Sequence, residues 1–255
     1  MEEALRVTLV ANAGVLLEYD GTTLLLDGIY GPEGHPFSNL TPRVWQAMLV
    51  GEPPFERIDY LLFTHAHPDH FSPAMTLEYL RRRPVKGVFA PDTRTVGESG
   101  LKAYLQESGT PCVLLSEETD HAAFRIEPHL TVRAFRTAHL DKAFARVKHF
   151  CYLISFGEKQ VLFTADINYV TEDLARLRGR ELRAAFVNPL FFNALRTGKF
   201  FKGTLPAAGI CVYHVPFSED DSTGIRQRLE HDLACWDAGG GLVVPLWDRF
   251  QQIEL

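Results

Sequence analysis

The chain has 255 residues, 46% hydrophobic and 23% charged, with a formal net charge of −6. This balance argues against a non-specific nucleic-acid binder, which needs a broad basic surface to meet the phosphate backbone. No apolar run approaches the ~20 residues that a membrane-spanning helix requires. The start, Met1-Glu2-Glu3, is acidic and leads directly into a strand pattern, so no signal peptide is expected. Cys112, Cys151, Cys211 and Cys235 are widely spaced among apolar neighbours, as suits buried free thiols better than a disulfide framework, and this cysteine pattern makes a cytoplasmic location the expectation.

In chain order, Val7 to Ala11, Val15 to Tyr19 and Thr22 to Leu26 are β-rich, and Asp20-Gly21 signals a type I′ hairpin between the last two. Thr41-Pro42 reads as a capped helix start. Ile58 to Phe63 reads as a short buried strand, and Ser72-Pro73 opens a second helix, which Arg81, Arg82 and Arg83 close as cations that complement the helix dipole. Val88 to Ala90 follows as a strand, then a helix from about Thr93 to Glu107 and a strand over Cys112 to Leu115. Leu130 to Arg136, Phe150 to Phe156 and Gln160 to Thr164 are expected strands, with a turn at Gly157-Glu158. Helices are expected at Thr171 to Leu177 and Glu219 to Trp236, the second capped by Ser218 with Asp221 three residues on. Strands at Ala184 to Val187, Gly209 to Tyr213 and Leu242 to Pro245 complete the set. No linker or repeat divides the sequence, so a single domain over residues 1–255 is expected. It would be of α/β class, with sheets flanked by helices in two comparable halves.

The stretch Leu61-Leu62-Phe63-Thr64-His65-Ala66-His67-Pro68-Asp69-His70 carries the chemistry. A buried strand ends, and three histidines and an aspartate crowd into six residues. Imidazole nitrogen and carboxylate oxygen are ligands of zinc and similar borderline metals. Alternation aims His65 and His67 at one point, while Asp69 and His70 reach a neighbouring one. Further ligands should also stand just past strand ends. His139, Asp166 and His214 meet that demand, each one to four residues beyond an apolar strand, where α/β folds usually place their sites.

At these residues the sequence resembles the metallo-β-lactamase superfamily. The family motif H-x-H-x-D-H stands as His65-Ala66-His67-Pro68-Asp69-His70, and the later third histidine, bridging aspartate and last histidine match His139, Asp166 and His214 in order. The resemblance implies a four-layer αβ/βα sandwich of two similar halves. It implies that His65, His67 and His139 bind one metal ion, that Asp69, His70 and His214 bind a second, and that Asp166 bridges them. Asp27, which ends the third strand, would help hold the metal loop. The third histidine stands in Ala138-His139-Leu140-Asp141-Lys142 where many members have G-H-T-P-G, and Ala165-Asp166 replaces the usual G-D. His214-Val215-Pro216 looks most like the ascorbate-6-phosphate lactonase-like branch.

The expected activity is metal-dependent hydrolysis by a hydroxide that two divalent ions activate, zinc first, with manganese or iron as alternatives. Asp69 is the expected catalytic residue, orienting that hydroxide. With Asp69, Asp166 and the hydroxide counted against two divalent cations, one positive charge remains. A small anionic ester, lactone or phosphodiester is therefore the expected partner. Tyr30, His149, Asn168, Tyr169, Asn193, Lys199 and Lys202 are candidate substrate contacts. Asn168 leads them, two residues past Asp166, and a surface position is the expectation for His149. The competing readings are a redox di-iron protein, a small phosphodiesterase or nuclease, and a non-catalytic protein that has kept the site.

Overall fold

The computed structural model describes residues 4–116, 118–198, 205, 207–236 and 241–255. The chain divides into two compact units, one running to Glu118 and including Arg249–Glu254, the other spanning Thr119–Asp248.

The first unit is built on a seven-stranded mixed sheet. Strands β1 (Arg6–Leu9), β2 (Val15–Tyr19) and β3 (Thr22–Leu26) form an antiparallel meander. Asp20 and Gly21 both take positive φ, 46° and 66°, as the expected type I′ hairpin requires. Strands β4 (Tyr60–Leu62), β5 (Gly87–Pro91) and β6 (Cys112–Leu115) extend the sheet in parallel pairing, and the short strand Gln252–Glu254, not foreseen in the sequence, pairs with β1. β3, β4 and β5 are buried at every position, which suits the apolar runs Leu24-Leu25-Leu26, Tyr60-Leu61-Leu62 and Val88-Phe89-Ala90 within them.

Between the parallel strands lie helices α1 (Pro42–Val50) and α2 (Pro73–Arg82). Thr41 and Ser72 cap them by accepting the N–H groups of Val44 and Met75, each with proline at the first turn. The helix expected over Thr93 to Glu107 is two helices, α3 (Arg94–Glu98) and α4 (Leu101–Ser108), because Gly100 turns left-handed at φ 81°. Leu25, Leu61 and Val88 of the sheet share one buried cluster with Met48, Leu77 and Leu105 of the helices.

The second unit repeats the plan. Strands β7 (His121–Glu127), β8 (Leu130–Thr137), β9 (His149–Phe156) and β10 (Lys159–Phe163) pair antiparallel. Strands β11 (Ala184–Val187), β12 (Gly209–Val212) and β13 (Leu242–Pro245) pair parallel. In both units three antiparallel pairings are followed by three parallel ones. A 3-10 helix at Glu172–Leu177 stands where an α-helix is expected. Helix α5 (Pro189–Arg196) was not foreseen, although Asn188 caps it through the Phe191 N–H at 2.9 Å. Helix α6 (Ile225–Ala234) starts later than expected. The Asp221 carboxylate accepts the N–H groups of Ile225 and Arg226, whereas the Ser218 hydroxyl is turned to Glu219. Leu162, Ala185 and Val212 of the sheet join Leu177, Phe191 and Leu229 in this unit's buried cluster.

All four cysteines are free, but only Cys151 and Cys211 are buried. Cys112 and Cys235 are exposed, contrary to expectation, because each sits where its element's buried pattern gives way to surface. Among the described residues no helix is long and apolar enough to cross a membrane.

Candidate metal centre

The first unit assembles its ligand-type residues on the loop that leaves β4. Asp27, just past β3, is fully buried at φ 46° and anchors that loop. Its carboxylate accepts the Thr64 N–H at 2.8 Å, the Thr64 hydroxyl at 2.6 Å and His70 Nδ1–H at 2.8 Å. These bonds fix proton positions. Thr64 spends its hydroxyl hydrogen on Asp27, so at His65 Nδ1, 3.0 Å away, it accepts. His65 and His70 therefore both carry hydrogen on Nδ1 and keep a bare lone pair on Nε2, the form in which imidazole binds a metal. His65 Nε2 lies 3.0 Å from His67 Nδ1, and Asp69 Oδ2 lies 3.7 Å from His70 Nε2. The loop holds its own shape: the His70 and Phe71 N–H groups both donate to the His67 carbonyl.

In the second unit Asp166 is central. One carboxylate oxygen faces His139 Nε2 at 3.6 Å and the other faces His214 Nε2 at 3.7 Å. Both separations exceed a hydrogen bond and suit ligands arranged around a cation. The loops of His139 and Asp166 are laced together, Leu140 N–H donating to the Asp166 carbonyl and Asn168 N–H to the Ala138 carbonyl. His139 Nδ1 accepts the Asp141 N–H at 3.2 Å, a long bond that a cation on Nε2 would displace by calling for a proton on Nδ1.

Three side chains grip the turn at Ala165-Asp166. Ala165, at φ 44°, donates its N–H to the Tyr213 hydroxyl at 3.1 Å, and its carbonyl accepts from Asn188 Nδ2 at 2.9 Å. Asp166 donates its N–H to His149 Nε2 at 3.1 Å. His149 is fully buried, not at the surface as expected. Since its Nε2 accepts, its Nδ1 carries the hydrogen and donates to Thr137 Oγ1 at 2.6 Å. The Thr137 hydroxyl then donates to Cys151 Sγ and the thiol to the Thr164 carbonyl, each at 3.5 Å. The chain of bonds has one consistent direction. It was invisible in the sequence because Thr137 and Asp166 lie 12 and 17 residues from His149.

Of the remaining candidates, Tyr30, Tyr169 and Asn193 make structural contacts. Tyr30 is buried, donating its hydroxyl to the Ser38 carbonyl and accepting the Ala13 N–H, and burial raises its pKa well above the usual phenol value. Tyr169 stacks on Phe191, and Asn193 ties α5 to Asp232 of α6. Asn168 is half-buried and its side-chain oxygen accepts the Val170 N–H. Lys199 and Lys202 lie outside the described residues.

The ligand-type side chains that could hold metal ions are His65, His67, Asp69 and His70 in the first unit, and His139, Asp166 and His214 in the second. The donors suit such ions: His65 and His70 present bare Nε2 atoms, and imidazole nitrogens and carboxylates are the ligands that zinc, manganese and iron accept.

The Beta-lactamase superfamily domain matches residues 24–200. The 4-amino-L-phenylalanyl-(CmlP-peptidyl-carrier-protein) 3-hydroxylase of Streptomyces venezuelae is 31% identical over 160 residues, 62% of this chain and 28% of that protein. The structure of CmlA, a diiron beta-hydroxylase from Streptomyces venezuelae, aligns with TM-score 0.60 and 22% identity over 100% of this chain and 54% of that one. Igni18, a metallo hydrolase of Ignicoccus hospitalis, aligns with TM-score 0.62 and 15% identity over 99% and 98%. The metallo-beta-lactamase fold protein YhfI of Bacillus subtilis gives 0.63 and 15% over 100% of both chains. This chain thus spans about half of the solved hydroxylase and a smaller share of the curated one. Two mixed sheets flanked by helices are the α/β metallo-β-lactamase sandwich.

Proposed function

We propose that this chain, which belongs to the beta-lactamase superfamily, is a metal-dependent hydrolase of a small anionic ester, lactone or phosphodiester. The observation that carries the reading is the Asp166 carboxylate, with one oxygen toward His139 and the other toward His214. A carboxylate so placed can serve two cations at once. In this reading His65, His67, His139 and Asp166 hold one ion, and Asp69, His70, His214 and Asp166 the other. Zinc is the first choice, with manganese and iron accepted by the same ligand types.

A pair of divalent ions supplies an ionised water near neutral pH and offsets negative charge that develops on the substrate. The chain's residues prepare that chemistry. Asp27 and Thr64 hold hydrogens on the outer nitrogens of His70 and His65, so their Nε2 lone pairs are already presented. Asp69, 6% exposed, is the group that orients the attacking water and takes its hydrogen bond. Asp69 and Asp166 leave two of the four cationic charges uncompensated, which favours an anionic substrate. His214-Val215-Pro216 supports the ascorbate-6-phosphate lactonase-like branch as the finer assignment, and with it a lactone or phosphoester substrate.

A second reading has one specific support. The relative at 31% identity is a hydroxylase and a similar solved structure is a diiron beta-hydroxylase, so oxidative chemistry on a di-iron pair is the alternative. One experiment separates the two. Metal content and the visible spectrum of the freshly purified chain are recorded, and turnover is assayed on lactones, thioesters and bis(p-nitrophenyl) phosphate with and without chelator. Chelator-sensitive hydrolysis without a visible iron chromophore supports the hydrolase. Iron with a visible band and no hydrolysis across the panel supports the hydroxylase-like reading.

A further inference from the structure

The second unit carries a cavity of about 430 Å³ that none of the chemistry above uses. Its floor is one face of β8 and β9. Arg133 and Phe135, two residues apart on β8, project to the same side, and Leu153 stands directly opposite Arg133 on β9. Its wall is the 3-10 helix Glu172–Leu177 and the turn after it, which bring Arg176, Leu177 and Arg180 to the rim. Phe135, Leu153 and Leu177 are buried, so the floor is apolar.

The charge around this floor is uneven. Arg176 lies over the Phe135 ring at 5.3 Å and has Asp120 at 3.4 Å. Among the described residues, Arg133 and Arg180 have no acidic partner. Three guanidinium groups thus gather around one apolar floor, with a single carboxylate to compensate them, in a chain of net charge −6. Like charges so grouped repel one another, and an anion that enters relieves that repulsion. Guanidinium pairs with carboxylate and phosphate oxygens in a planar, two-pronged geometry that no other side chain offers. The volume falls within the range of small-molecule pockets.

We propose that this cavity binds a small organic anion. Arg133 and Arg180 take a carboxylate or phosphate monoester head, and an aromatic or aliphatic body lies on Phe135, Leu153 and Leu177. The site lies wholly within the second unit and does not depend on the metal reading.

Titration calorimetry on the full chain at low ionic strength tests this. The probes are phenylbutyrate, phenyl phosphate and, as the uncharged counterpart, phenylbutanol. Saturable one-site binding of at least one anion is expected, weakened roughly tenfold or more in an Arg133→Ala, Arg180→Ala double variant and in the alcohol. It should weaken with added salt and persist unchanged in His67→Ala, whose altered residue lies in the first unit. The anion that binds identifies the head group. Absence of saturable binding by either anion, equal affinity in the double variant, or loss of binding in His67→Ala would each overturn the proposal.

Discussion

Asp166 donates its backbone N–H to His149 Nε2 at 3.1 Å, and the imidazole that receives it is fully buried. His149 therefore positions the aspartate through its main chain and leaves both carboxylate oxygens to His139 and His214. Partners of this indirect kind typically govern metal affinity by about 10–100-fold. His149→Phe is expected to weaken metal retention by that order, read by dialysis against a competing chelator. His149→Gln, which restores an acceptor, should recover part of it. Equal retention in the wild type and the Phe variant would remove His149 from the account.

Ala165 sits at φ 44°, a left-handed conformation that costs an L-residue about 1–2 kcal/mol. Glycine would relieve that strain but lose about 0.4–1 kcal/mol to the freer unfolded chain. Ala165→Gly should thus leave urea stability within about 1 kcal/mol of wild type or raise it slightly. Ala165→Val, β-branched and in a fully buried turn, should lower it by about 1–3 kcal/mol. If the glycine variant proves much the less stable of the two, the turn is not strained.

Asp27→Asn tests the anchor of the metal loop. The carboxylate accepts three hydrogen bonds, and an amide in its place must aim an N–H at one of those donors. A loss of about 1–3 kcal/mol in chemical denaturation is expected, together with weaker metal binding. Unchanged values for both would show that the loop holds its shape without Asp27.

Burial pushes the thiols of Cys151 and Cys211 up to about 12. In the folded chain at pH 8, a thiol reagent should therefore modify Cys112 and Cys235, which are exposed, and reach the other two only after unfolding. The sign of the pH effect follows. Both groups are neutral in the fold, so their contribution to stability is complete below the ordinary thiol value of 9.0 and is lost as pH rises from there toward 12. Replacing both with alanine should flatten part of the decline in Tm over that interval. Rapid labelling of Cys151 in the folded chain would contradict its burial.

Much of this was legible in the sequence, for identifiable reasons. Thr41-Pro42 and Ser72-Pro73 are local signals, and α1 and α2 begin where they stand. β3 and β4 are buried throughout, so their apolar runs read directly as strands. β7 went unseen because it has no fully buried position and its alternation, Phe124-Arg125-Ile126-Glu127, is only four residues long. α5 went unseen because Pro189-Leu190-Phe191-Phe192 reads as an apolar run, although Asn188 was available as its cap. Within the candidate centre, the spacing of His65, His67, Asp69 and His70 could be read because one loop carries all four. The burial of His149 and the task of Tyr213 depend on contacts made across strands, which no local pattern reports.

The central claim is that these side chains hold a pair of metal ions, and elemental analysis of the freshly purified chain, alongside His67→Ala and Asp166→Asn, tests it most directly. About two divalent ions per chain are predicted for the wild type. Both variants should retain fewer, keep the wild-type circular dichroism and lose turnover. A wild-type chain with no stoichiometric metal, or variants that keep both metal content and activity, would contradict the account.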